Sequence, residues 1–111
     1  MPGHVVTTEP LGRRVRVELD GELLADSTDV IALHETGMPT RYYFAPDDVR
    51  TELLAPSPAH TTCPFKGEAS YYDLGEHRDF VWYYPEPIAA VEAIRGRLAF
   101  YNDRVSLVVD E

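Results

Sequence analysis

Arg13-Arg14-Val15-Arg16-Val17-Glu18-Leu19-Asp20-Gly21-Glu22-Leu23-Leu24-Ala25-Asp26 decides the fold class. Val15, Val17 and Leu19 alternate with charged residues, which is the period of a half-buried strand, and Asp20-Gly21 suits a tight primed turn. Leu23 and Ala25 lead a returning strand, so residues 13–26 read as a hairpin. Arg14 and Arg16 face solvent opposite Glu18, Glu22 or Asp26, an ordinary ladder of charge pairs.

Upstream, residues 1–12 read as a polar lead-in, either disordered or laid along the surface, with no role assigned to His4. Downstream, residues 13–111 read as one β-rich domain. Val30 to Thr36 and Arg41 to Phe44 are strands separated by a loop punctuated with Gly37 and Pro39. Pro46 opens a short helix with Asp47 and Asp48 at its positive end and with Val49, Leu53 and Leu54 on its buried face. A strand starts at Glu68, and an exposed loop spans Asp73 to Asp79. The next strand, Phe80 to Pro85, places Phe80, Trp82 and Tyr84 on one face. A second short helix covers Ile88 to Arg95 with Gly96 as its stop. Leu98 to Tyr101 and Val105 to Val109 read as a terminal hairpin about Asn102-Asp103. The expected architecture is mainly β, about eight strands in antiparallel sheets with two short helices.

Between these elements lies Thr62-Cys63-Pro64-Phe65-Lys66-Gly67-Glu68-Ala69-Ser70-Tyr71-Tyr72, holding the chain's single cysteine and single lysine. Pro64 fixes its own φ and biases Cys63 to an extended conformation, while Gly67 permits a left-handed turn or close approach of another group. Ala69 and Tyr71 then share one strand face, and Ser70 and Tyr72 the other. Lys66 reads as a cationic anchor for a carboxylate, phosphate or carbonyl, or as a structural ion-pair partner. Cys63 reads as a thiol beside that ammonium, or as a small packed hydrophobe.

Length and composition bound the rest. A chain of 111 residues that is 44% hydrophobic supports one modest core. One cysteine allows no internal disulfide and no multi-cysteine zinc site, which points to reducing, cytoplasmic surroundings. A formal charge of −9 disfavours nucleic-acid phosphates and anionic lipid. No apolar run is long enough to cross a membrane, so no membrane partner is expected. No metal and no cofactor are expected either: Glu76, His77 and Asp79 lie together in sequence, but nothing fixes their geometry. His34 reads as a core or cross-strand partner.

The aromatic residues crowd the segments around the central stretch. Phe44, Phe80 and Phe100 are expected in the core, with Tyr43, Tyr71, Trp82 and Tyr84 partly exposed near Lys66. The leading expectation is a small-molecule-binding domain with Lys66, Trp82, Tyr43, Tyr71 and Tyr84 around the ligand. One alternative is an enzyme using Cys63 or Lys66 as nucleophile with His34 or Asp48 as proton acceptor. Another is a protein-interaction module built on an aromatic patch.

Tyr43-Phe44 with Pro46 and Asp48-Val49, then Cys63-Pro64-Phe65-Lys66-Gly67-Glu68-Ala69-Ser70-Tyr71, Trp82-Tyr83-Tyr84-Pro85-Glu86-Pro87 and Ala99-Phe100-Tyr101 together carry a family resemblance. From about Arg13 to Val109 the chain resembles the domain of unknown function 427 family, which some catalogues file under a nucleotidyltransferase-like heading. The resemblance implies a fold similar to the Mss4-like, or β-tent, group, two antiparallel sheets meeting around a groove. Relatives in that group carry paired Cys-x-x-Cys zinc ligands, which this chain lacks, so neither the zinc nor their sulfoxide-reductase chemistry carries over. Nucleotidyl transfer needs clustered carboxylates and a phosphate-cradling turn, and the sequence has no Gly-Ser turn followed by an Asp-x-Asp pair.

Overall fold

The computed structural model describes residues 3–110. Its strands are β1 (Val6–Pro10), β2 (Val15–Leu19), β3 (Glu22–Ser27), β4 (Val30–Glu35), β5 (Arg41–Phe44), β6 (Leu54–Cys63), β7 (Gly67–Leu74), β8 (His77–Tyr83), β9 (Leu98–Phe100) and β10 (Ser106–Val109). They form two antiparallel sheets, one ordered β1-β4-β5-β9-β8-β7-β6 and the other β10-β2-β3. The mainly β architecture is therefore as the hydrophobic alternation predicts, and the two antiparallel sheets are as the family resemblance implies.

The larger sheet is buried on both faces at its centre and exposed at its edge strands β1 and β6. One face meets the smaller sheet, where Val15, Val17 and Leu24 pack with Phe44, Phe80, Val81, Leu98 and Phe100. The opposite face carries a second cluster of Ile31, Leu33, Tyr43, Trp82, Tyr84 and Ala99, packed with Val91 and Ile94 of the segment Ala89–Ile94. Each large side chain so buried contributes about 1.5–3 kcal/mol. Strand alternation divides the two cores: neighbours Tyr43 and Phe44, and likewise Ala99 and Phe100, point to opposite sides.

Several local expectations change in the folded chain. The first expected helix is two separate 3-10 turns, Pro46–Asp48 and Thr51–Leu53, and the second is the 3-10 segment Ala89–Ile94. In the first segment Val49 turns extended and bridges Ala25 of β3, and in the second Val91 leaves helical geometry. Segments this short lack the cooperative length that sustains an α-helix. Val6–Pro10 of the lead-in lies along the surface as a strand paired with β4. Leu54–Cys63, hidden by Pro56 and Pro58, is an edge strand with a register shift between Pro56 and His60, a position where missing N–H donors are tolerated.

The expected terminal hairpin does not form. Leu98, Ala99 and Phe100 are all buried, and β9 pairs on one side with β5 and on the other with β8. β10, half exposed, joins β2 in the other sheet. In β3 a bulge opposite Val17 and Glu18 turns Leu24 inward and leaves Leu23 exposed. Phe80 belongs to the inter-sheet core rather than to the face of Trp82 and Tyr84. Asp79 just before it sits at φ 51°, beside a register shift at Tyr72 and Leu74, which breaks the alternation.

Candidate functional site

Lys66 stands in the turn between β6 and β7. Its N–H donates to the Cys63 carbonyl at 3.1 Å, and its own carbonyl accepts from the Ile88 N–H at 2.9 Å. Gly67 closes the turn at φ +121°, and a Cβ placed there would stand 3.2 Å from the Glu86 carbonyl oxygen. Only glycine suits both that conformation and that approach. The stretch from Glu86 to Ile88 therefore straps the lysine turn against the second core.

The Lys66 ammonium donates to Glu35 Oε1 at 2.6 Å, with the two side chains 13% and 10% exposed. His4 Nε2 lies 2.8 Å from Glu35 Oε2, and the His4 ring rests on Phe65 with centroids 4.2 Å apart. Burial pushes the Glu35 carboxyl up, but the hydrogen bonds from Lys66 and His4 outweigh it and hold the group below the usual carboxylate range. Glu35 is placed here by strand period: it shares the face of Ile31 and Leu33, both in the second core.

Beside this pair stands an aromatic wall. The Trp82 indole N–H donates to Tyr43 Oη at 3.1 Å, and the two rings meet edge to face at 87°. Burial raises the Tyr43 and Tyr84 phenols well above their ordinary range. The Arg41 guanidinium lies 5.4 Å from the Trp82 ring centre and 6.0 Å from that of Tyr101. Lys66, Glu35, Arg41 and Met38 line a hollow of about 150 Å³ with Tyr71, Trp82, Tyr84 and Tyr101.

The fold thus gathers four of the residues singled out from sequence: Lys66, Tyr71, Trp82 and Tyr84. Tyr43 is fully buried, and Trp82 and Tyr84 are buried as well at 7% and 5% exposure, so these three belong to the second core rather than being partly exposed; Tyr43 accepts the hydrogen bond of the Trp82 indole. Cys63 is half-buried and does not line the hollow. His34 points to the other face of β4, where it meets Thr40 at 3.2 Å and Glu9 at 2.7 Å. Asp48 accepts from the Ser27 hydroxyl at 2.6 Å. Neither of the two expected proton acceptors lines the hollow.

Glu35, Arg41, Met38, Tyr101 and His4 enter the site without having been singled out. Period-two alternation from Ile31 is a signal that could have found Glu35; His4 has none, because its place depends on where β1 docks. A roomier hollow of about 480 Å³ lies elsewhere, floored by Leu19, Leu53 and Leu74 and rimmed by Asp20, Glu22 and Glu76. Among the described residues no three His, Cys, Asp or Glu side chains are grouped to hold a metal ion, and no helix is long and apolar enough to cross a membrane.

A family model described as a domain of unknown function (DUF427) matches residues 7–111. No curated protein matches the chain.

Proposed function

The chain belongs to that DUF427 family, whose description assigns no activity, and from the site itself we propose a small-molecule-binding domain. Its ligand rests against Trp82, Tyr71 and Tyr84, with a carbonyl or anionic end meeting Lys66. The observation that carries this reading is that the one lysine, ion-paired to Glu35, lines the same hollow as the one tryptophan. An ammonium has three N–H donors. Glu35 occupies one, which leaves donors for a ligand oxygen.

Size narrows the ligand. Sites for drug-sized molecules run to about 300–1,000 Å³, so a hollow of about 150 Å³ suits a compact molecule. Nucleotidyl transfer finds little support here, since Glu35 is the single acid in the lining.

Trp82, as the sole tryptophan, reports occupancy through its fluorescence. Titration with a library of small carbonyl compounds and acids is expected to give hits whose affinity drops at least ten-fold in Lys66→Met. Hits that bind the folded variant as tightly as wild type would remove the anchor.

A further inference from the structure

We propose that Arg41 is the residue that reads the ligand's charge, and that the ligand is a small flat monocarboxylate carrying a second oxygen acceptor, an oxo acid in chemical class. This deepens the binding function proposed above and rests on it.

The lysine is not the uncommitted cation in the hollow. Among the described residues seven of the ten lysine and arginine side chains meet a carboxylate, Lys66 among them. Arg41 does not, although the chain has 19 acidic residues. Asp103, which lines a neighbouring hollow with Arg41, forms no ion pair with it. Instead the guanidinium lies over the Trp82 and Tyr101 rings. Attraction to a ring face consumes no N–H, so the guanidinium fork, which matches a carboxylate in bidentate fashion, has no hydrogen-bond acceptor among the described residues.

Charge decides between carboxylate and phosphate. Lys66 and Glu35 cancel each other, so among the side chains that line the hollow Arg41 leaves one positive charge. A carboxylate balances it. A phosphate monoester, at about −1.5 to −2, would leave excess negative charge beside the largely buried Glu35. With the carboxylate on Arg41, the remaining Lys66 donors face a neutral oxygen, which is what a keto group supplies. The flat body then rests against Tyr71, Trp82 and Tyr84, as in the binding function proposed above.

Three probes separate these contributions by Trp82 fluorescence titration: benzoylformate, its methyl ester, and benzoate. Wild type is expected to bind benzoylformate at least ten-fold more tightly than either of the others. Arg41→Gln should bring benzoylformate to within about two-fold of the ester measured in that same variant. Lys66→Met should bring benzoylformate to the level of benzoate. Arg41→Lys, which keeps the charge and loses the fork, should fall between wild type and Arg41→Gln, and circular dichroism confirms that each variant is folded. Equal binding of acid and ester, or an acid preference that survives in Arg41→Gln, overturns the assignment to Arg41. The binding function would still stand if Lys66→Met weakened that binding. No binding of any probe overturns the oxo-acid class, and the library titration then decides the binding function separately.

Discussion

Lys66 and Glu35, 31 positions apart in the chain, meet at 2.6 Å with both side chains almost withdrawn from water. The pair ties the β6–β7 turn to the end of β4 across a sheet in which these two strands are not neighbours. An ion pair so placed serves position before stability, because its attraction must first offset the desolvation of two charges.

Removing one partner should cost more than removing both. Lys66→Met leaves the Glu35 carboxylate with His4 alone and is expected to destabilise by about 2–3 kcal/mol, below the ~3–5 kcal/mol of a fully buried pair. Lys66→Met combined with Glu35→Gln should recover at least half of that loss. Urea unfolding midpoints of the two single variants and the double variant measure the coupling.

Acid should release the same pair. The folded-state value of Glu35 lies below its ordinary one, so its contribution is complete above the usual carboxylate range. It fades as pH falls from about 4.3 through that lowered value. Asp26, Glu52 and Glu92 are also held low, each by a hydrogen bond from an arginine, and they act in any variant that keeps them. The stability gap between wild type and Glu35→Gln should therefore narrow on acidification, and unfolding curves at several pH values would show it. A constant gap would mean that Glu35 acts through packing alone.

Gly67→Ala should loosen the site from behind. The position has φ +121°, and the new methyl would press on the Glu86 carbonyl oxygen at 3.2 Å. The expected cost is about 1–2 kcal/mol, read as a drop in Tm of roughly 5–10 °C for a domain of this size. Hydrogen exchange at the Ile88 amide, which donates to Lys66, should accelerate more than exchange within β2.

Tyr43→Phe and Trp82→Phe test the buried hydrogen bond from its two ends. Tyr43→Phe strands the indole N–H inside the second core and should cost about 1–3 kcal/mol. Trp82→Phe removes the donor but also indole surface, so its loss should be larger and should include packing. If Tyr43→Phe unfolds at the wild-type urea concentration, the 3.1 Å contact contributes nothing to stability.

The sequence by itself determined the β class, the hairpin within residues 13–26, the alternation around Tyr71, and the turn that Gly67 permits after Lys66. These rest on local rules, side-chain period and the backbone limits of glycine and proline, which act within a few residues. Tertiary structure alone decided that β9 and β10 join different sheets, that Phe80 and Trp82 serve different cores, and that Tyr43 is buried rather than displayed. It also decided that Lys66 meets Glu35 and not His34 or Asp48, and that Arg41 lies over Trp82 and Tyr101 with no carboxylate partner among the described residues. Those outcomes depend on which distant strands pair and in what register, and a one-residue shift sends a side chain to the opposite face.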